Sequence, residues 1–409
     1  MKRRNVQRLL AAALVCATLP GCRAPGATPD THSKSGSQSS GGEPQPSVAS
    51  APRRRAGGPV TVRLASFAQA SELELLDAQG RKRTARRSGQ RIAIDGQAAL
   101  ERFELQAPAD GVVGIGTARY SGELAVSVEP DGAWRVEHRV DFEDYVLGVV
   151  AKELGFGATP PQAWRAQAIA SRSYALAQLE QRSRGNTEPY LFDGVRDQAY
   201  GGAPQPRNAR ERESLAQLRA AVESTRGMVL EHDGAVVDAR YHSSCGGRTA
   251  DGRAVFPELR SSCLSSVECA PCAASREVLW SWTVPAQQLT QLAKKYELGE
   301  RLVALEPLKL DASRRWIEVE LRGERANKTV RYEELRRELG RDKLRNARIV
   351  ECWPKPGAKL DGGLRLSGAG NGHGAGLCQR GALDYARQGW SAERILGHYY
   401  AGAKLADRR

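Results

Sequence analysis

At Asp141 the chain changes its hydrophobic period, and that change constrains the fold more than any other feature. Before it, Val60-Thr-Val-Arg-Leu64, Leu73-Glu-Leu75, Arg91-Ile-Ala-Ile94, Leu124-Ala-Val-Ser-Val128 and Trp134-Arg-Val-Glu-His-Arg-Val140 repeat with a period near two, as half-buried strands do. Asp95-Gly96 and Asp131-Gly132 separate them as turns. After it, Val146, Val149, Val150 and Leu154 recur at helical spacing, with Asp141 placed to cap the helix and Gly155 to stop it. A second helix is predicted to follow Thr159, with Pro160 and Pro161 in its first turn, and to run to about Arg182. Its many Ala and Ser residues suit close packing against a neighbour. Blocks of strands and blocks of helices, rather than an alternation of the two, predict an α+β fold: a mixed core of helices and antiparallel strands with flanking and inserted β-rich regions.

Further along, Met228-Val-Leu-Glu-His232 and Ala235-Val-Val-Asp-Ala-Arg-Tyr241 read as a hairpin turning at Asp233-Gly234. Residues 276–350 read as strand-rich with one charged helix, Tyr332 to Leu339. A glycine-rich loop follows. Two helices are expected after it, Cys378 to about Arg387 and, behind a Ser391 cap, Ala392 to Tyr400. The expected organisation is therefore a β-rich region at 59–140, a core built from 141–275 and 351–405, and an inserted β-rich region at 276–350.

The first 58 residues read differently. Met1-Lys-Arg-Arg4 is basic, Leu9 to Leu19 is a short apolar run, and Leu19-Pro-Gly-Cys22 follows. That is the order of an export signal, and the run is too short for a permanent membrane helix. The cysteine after a small residue resembles a bacterial lipobox, so residues 1–22 are read as a lipoprotein signal peptide with Cys22 lipidated; Pro20 departs from that pattern. Residues 23–58 are mostly Ser, Gly, Pro, Gln, Ala and Arg, too poor in apolar surface to fold, and read as a disordered linker. The expected location is outside the cytoplasm, lipid-anchored to the membrane and facing the periplasm or cell wall.

Net charge is +14. A basic chain invites a nucleic-acid partner. Export and an aromatic content of only 6% argue against one. Attraction to the anionic polymers of the envelope, or plain solubility, accounts for the charge. Six cysteines lie beyond the signal region, Cys245, Cys263, Cys269, Cys272, Cys352 and Cys378, and in an oxidising compartment they are open to disulfides or to metal.

Three features carry chemistry. Glu153 lies at the edge of the apolar face of the first helix, where a carboxyl partly withdrawn from water suits general-acid work. Spacing alone favours a solvated helix-end glutamate over a catalytic one. Tyr241-His-Ser-Ser-Cys-Gly-Gly-Arg-Thr249 takes a strand straight into polar residues and a double glycine that permits close backbone approach. There His242 and Cys245, with the pair Cys269-Ala-Pro-Cys272, form a candidate zinc site, a disulfide within the same group being the alternative. Finally, Ser367-Gly-Ala-Gly-Asn-Gly-His-Gly-Ala-Gly-Leu-Cys-Gln379 suggests a backbone-lined cleft with His373 at its floor. It is not a dinucleotide fingerprint, because only about 34 residues follow. A Cys378–His373 nucleophilic pair is a further possibility that lacks a third partner.

In order, Asp144-Tyr-Val-Leu-Gly-Val-Val-Ala-Lys-Glu153, Ala163-Trp-Arg-Ala-Gln-Ala-Ile-Ala-Ser-Arg-Ser-Tyr-Ala175, Asp197-Gln-Ala-Tyr-Gly-Gly202, Thr225-Arg-Gly-Met-Val-Leu230, the 241–249 segment, Gly368 to Ala382 and Ile395-Leu-Gly-His-Tyr-Tyr400 resemble the stage II sporulation protein D family, which includes the amidase enhancers. The resemblance spans about 260 residues. It implies a lytic transglycosylase that cleaves MurNAc–GlcNAc bonds of peptidoglycan glycan strands, preferably peptide-stripped ones, leaving 1,6-anhydro-MurNAc ends. It places the catalytic acid on Glu153 and draws substrate-binding candidates from the matched blocks: Gln167, Arg172, Tyr174, Ser243, His373 and Gln379. The resemblance requires no cofactor; because some relatives carry zinc near the cleft, a structural zinc on His242, Cys245, Cys269 and Cys272 is compatible with it. The other readings are a non-catalytic wall-binding module that enhances a partner amidase, and a zinc hydrolase built on His242 and the cysteines.

Overall fold

The computed structural model describes residues 55–409 apart from 98, 185–188 and 361–362. The expected export signal, Cys22 and the linker as far as residue 54 lie outside the described residues. The fold is α+β, as the change of period predicts. Strand Pro59–Arg63 pairs antiparallel with Trp134–Asp141, and the sheet continues through Glu123–Val128 to Arg102–Gln106. Its other edge runs parallel to Leu191–Phe192, which ties the early strands to the helical part. A second sheet orders Arg91–Ile94, Lys82–Ser88, Leu73–Leu76, Val113–Ile115 and Ala118–Tyr120. Alternation sets the faces: Val60, Val62, Leu73, Leu75, Val136 and Val140 are buried while many of their neighbours in sequence are not.

Helices are labelled in chain order: α1 Phe142–Leu154, α2 Pro161–Arg182, α3 Ala209–Glu223, α4 Gly252–Val255, α5 Ala270–Ala274, α6 Ala286–Lys295, α7 Tyr332–Leu339, α8 Gln379–Arg387 and α9 Ala392–Tyr399. Asp141 ends its strand and caps α1 through a hydrogen bond from the Glu143 amide at 2.8 Å, so strand and helix join without a loop. Helix α2 is a buried spine, packed by α1, α3, α8, α9 and strand Met228–His232. Ala163, Ala166, Ala168, Ala170 and Ala175 on it are fully buried, and their small side chains let these neighbours approach. Strand Lys404–Asp407 pairs with Met228–His232 and returns the C-terminus to this core.

Residues 276–350 hold more helix than expected. Besides α7 they contain α6, whose Leu289, Leu292 and Ala293 are buried at helical spacing. Helix α3 likewise went unread, although Leu215, Leu218 and Val222 bury one face of it. Three-stranded sheets Leu302–Leu310, Trp316–Gly323, Asn327–Arg331 and Leu279–Val284, Leu364–Ala369, Ile349–Trp353 complete the inserted part. Trp280, Leu289, Val319, Leu321, Leu335 and Leu366 share its core. Among the described residues no helix is long and apolar enough to cross a membrane.

Candidate functional site

Glu153 lies in the last turn of α1, half-buried, where the helix meets a trench. Three donors from three distant segments reach its carboxyl group. The Ala199 amide donates to Oε1 at 3.0 Å and the Gln379 side-chain amide to Oε2 at 2.9 Å. The Tyr241 hydroxyl lies 3.4 Å from Oε1 and 2.7 Å from the Gln198 side-chain oxygen. Gln198 is fixed in turn by the Tyr145 hydroxyl and the Ser171 carbonyl. Parallel pairing of Tyr241 with Leu377 and of His242 with Cys378 is what brings Tyr241 and Gln379 side by side. Burial and the nearby Glu153 charge hold the Tyr241 phenol well above its usual range, so it stays protonated.

Two cavities, of about 300 and 440 Å³, meet at this point, and Glu153, Ser243, Asn371 and Gln379 line both. The trench walls carry three further carboxylates, each neutralised by an arginine. Asp197 is gripped by both terminal nitrogens of Arg182 and by the Tyr174 hydroxyl. Glu333 receives Arg336 at 2.7 and 2.9 Å, and Glu277 pairs with Arg380. Among the described residues Glu153 has no such basic partner. The trench thus holds one carboxyl group oriented by neutral donors, which can exchange a proton with a bound molecule without breaking an ion pair.

The glycine-rich run forms part of the trench wall. Asn371 and Ser244 exchange backbone hydrogen bonds at 2.8 and 3.1 Å, which locks the run against the turn after Tyr241. At Gly376 φ is +69°, and a Cβ there would lie 2.0 Å from the Arg240 carbonyl oxygen. His373 faces the larger cavity that Glu153 also lines. Its Nδ1 accepts the Ala375 amide at 3.2 Å, and its ring packs edge-on against Phe256 and His242. This packing pushes its imidazole well below the usual histidine range, so it is a neutral ring at physiological pH.

Of the substrate-binding candidates, Tyr174, Ser243, His373 and Gln379 line the trench. Gln167 and Arg172 do not. Both are fully buried on inward faces of α2. Gln167 donates to the Ser171 hydroxyl at 3.1 Å. Arg172 forms a fork with Glu143 at 2.9 and 2.6 Å and reaches the Met228 carbonyl. Their place is the core, because α2 is packed on nearly every side. Unforeseen from sequence were Tyr241, Asn371 and the Ala199 amide. The last is a backbone group and carries no side-chain signal.

The cysteine group also differs from expectation. The sulfurs of Cys245, Cys269, Cys272 and Cys378 lie within 4.8 Å of one another, all buried and not bonded in disulfides. Cys378 takes the place expected for His242. The His242 ring turns away and donates its Nδ1–H to the Ala375 carbonyl at 3.1 Å, and burial, with the Arg315 charge second, pushes its imidazole down to about 3. Cys378 is thereby committed to the sulfur group, which removes it from any nucleophilic pairing with His373.

The fold and trench define an α+β protein in whose groove, among the described residues, Glu153 is the one lining carboxyl group without an arginine partner. Comparison with known proteins points the same way. Residues 131–232, which include Glu153 and all of α2, match the family described as SpoIID: Stage II sporulation protein. The chain is 26% identical over 273 residues to stage II sporulation protein D of Bacillus amyloliquefaciens, covering 66% of this chain and 75% of that one. An uncharacterized protein of Brachyspira hyodysenteriae is 26% identical over 273 residues, covering 66% and 68%. The amidase enhancer of Bacillus subtilis is 25% identical over 314 residues, covering 64% of this chain and 40% of that one. The family resemblance read from the sequence blocks is borne out.

Proposed function

We propose that this protein acts on the bacterial cell wall as a lytic transglycosylase, cleaving the MurNAc–GlcNAc bond of peptide-stripped glycan strands with Glu153 as its catalytic residue. The observation that carries this is the solitary status of Glu153: the trench's other carboxylates are tied to arginines, and this one is held only by neutral donors. Hydrolysis of glycosides by the usual routes needs two working carboxylates. Intramolecular attack by the muramic 6-hydroxyl needs one, because the sugar supplies its own nucleophile. Protonated Glu153 gives its proton to the leaving glycosidic oxygen, and the resulting carboxylate takes the proton of the 6-hydroxyl as the anhydro ring closes. Tyr241 suits this cycle. Its single proton rests nearer Gln198 when Glu153 is protonated and can swing to Oε1 when the carboxylate forms. Gln379 and the Ala199 amide steady the charged state. Ser243 and Asn371, at the junction of the cavities, are placed to meet sugar hydroxyls.

Lipidation at Cys22, with the Ser-, Gly- and Pro-rich stretch 23–54 as spacer, would tether the folded part to the membrane while letting it reach the wall; the expected linker ends before Ala56, which is buried and donates its amide to the Arg408 carbonyl at 2.8 Å. The test is incubation of the purified protein with peptide-free glycan strands and mass spectrometry of the fragments. Anhydro-ended products are expected, and Glu153→Gln should lower their rate by at least about 100-fold. A variant that cuts as fast as the parent would remove Glu153 from the mechanism. Similarity to a protein named amidase enhancer favours one second reading, a wall-binding partner of an amidase. If glycan stays intact while an added amidase is accelerated equally by parent and Glu153→Gln protein, that reading replaces the first.

A further inference from the structure

We infer that Cys245, Cys269, Cys272 and Cys378 bind one zinc ion as a closed tetrathiolate centre beneath the trench. The four sulfurs come from three segments: the turn after strand Tyr241–His242, the two ends of a Cys-Ala-Pro-Cys step at α5, and the N-cap of α8. Zinc–sulfur bonds of about 2.3 Å in a tetrahedron put sulfurs about 3.8 Å apart. The observed group, all pairs within 4.8 Å, needs only a small contraction to reach that.

Two features distinguish a metal site from an apolar cluster of thiols. First, every sulfur is hydrogen-bonded. Cys245 Sγ accepts the Gly247 amide at 3.4 Å, Cys272 Sγ the Gly246 amide at 3.2 Å, and Cys378 Sγ the Cys245 and Gly381 amides at 3.3 Å each. Cys269 Sγ lies 3.2 Å from the Tyr399 hydroxyl. Neutral thiols are weak acceptors, whereas thiolates take such bonds readily. Second, the surroundings hold matching positive charge. Arg315 is fully buried, and its four side-chain hydrogen bonds go to neutral oxygens: the carbonyls of Cys245 and Arg248, the Ser313 hydroxyl and the Asn346 amide. Arg348 donates to the Gly246 carbonyl. Four thiolates around a divalent ion carry a net charge of minus two. Two guanidinium groups bonded to the ligand loop offset it, which gives a reason for a buried cation that no carboxylate bonds.

Binding releases the four thiol protons to solvent and moves no electrons. With four protein ligands the ion has no open position, so it is structural. Cys378 directly precedes Gln379, and Cys245 follows Ser243 by two residues, so the ion would fasten two trench-lining segments to α5. His242 is not a ligand.

The test uses the full chain, purified without chelators, and reads metal rather than glycan cleavage, so its outcome is independent of the proposed activity. One zinc per chain is expected by elemental analysis. Replacement with cobalt should give the thiolate-to-cobalt charge-transfer band and the intense visible bands of tetrahedral sulfur coordination. Cys378→Ser should lose the metal equivalent, and His242→Ala should keep it. Should Cys378→Ser fail to fold, the metal content and cobalt spectrum of the parent still decide. Parent protein that carries no metal, takes up no cobalt and shows disulfides among these four cysteines by mass spectrometry would overturn the inference, as would loss of the metal in a folded His242→Ala chain.

Discussion

Gln379 donates its side-chain amide to Glu153 at 2.9 Å across 226 positions of sequence, joining the first residue of α8 to the last turn of α1. Under the proposed mechanism Gln379 orients the carboxyl group and steadies its charged form. Gln379→Ala is expected to lower kcat by up to about 100-fold with little change in glycan affinity, because misplacement of a reacting group is costly while the rest of the trench is intact. A KM rise with unchanged kcat would instead make Gln379 a plain sugar contact. Turnover by the variant, set beside strand-binding measurements on it, separates the two.

Arg172 belongs to the core rather than the trench, and the difference is measurable. It is fully buried in its fork with Glu143, which also lies near the Gly227 amide at 3.3 Å. Arg172→Ala leaves a buried carboxylate unpaired and should cost about 3–5 kcal/mol in urea unfolding. Replacing both partners by apolar residues should recover much of that loss. An Arg172→Ala protein of parental stability but weakened glycan binding would return the residue to the substrate.

How far the sequence could be read depended on the range of the interactions involved. The ends of α1 were legible because their causes are local: Asp141 caps and Gly155 stops within a turn of the residues they govern. The same holds for Ser391 at α9. The fourth sulfur was not legible. His242 is a neighbour of Cys245 in sequence, whereas Cys378 arrives only through the parallel pairing of His242 with Cys378, a long-range contact that no local pattern encodes. Gln167 and Arg172 were misplaced for a related reason. They sit in a sequence block matched as a whole to the family, and only the packing of α2 shows which of its faces meet the trench. Helix α6 was a missed period rather than a hidden one, since Leu289, Leu292 and Ala293 carry the signal among Trp-rich strand segments.

His138 should make stability fall with acidity. Burial holds its imidazole at about 4, against 6.5 for an ordinary histidine. Its Nε2 meets the Ser121 carbonyl at 2.5 Å and its Nδ1 the Tyr200 hydroxyl at 3.0 Å, an arrangement suited to the neutral ring. Between pH 6.5 and 4 the unfolded chain binds a proton that the folded chain refuses, so stability is full above 6.5, declines as pH falls, and levels off below about 4. The span corresponds to at most about 3 kcal/mol for this residue. Urea unfolding at stepped pH should show that decline, and a His138→Gln chain should show a shallower one. Equal slopes in the two proteins would mean that His138 does not titrate in this range.

Gly376 and Gly389 offer a matched test of how the trench is assembled. Both have positive φ, +69° and +84°. At Gly389 a Cβ would meet nothing within 4 Å, so Gly389→Ala should cost only the backbone strain, about 1–2 kcal/mol. At Gly376 the Cβ would strike the Arg240 carbonyl oxygen at 2.0 Å. That oxygen accepts the Leu377 amide at 3.2 Å and the Tyr400 hydroxyl at 2.8 Å, so it cannot move aside without loosening the strand pair that sets Tyr241 beside Gln379. Gly376→Ala should therefore lose about 3–5 kcal/mol and, where the chain still folds, should also lose glycan cleavage out of proportion to its stability. Thermal melts and product analysis of the two variants side by side check this. Equal behaviour would mean that the strand pair tolerates displacement and that Tyr241 and Gln379 are held in place by other contacts.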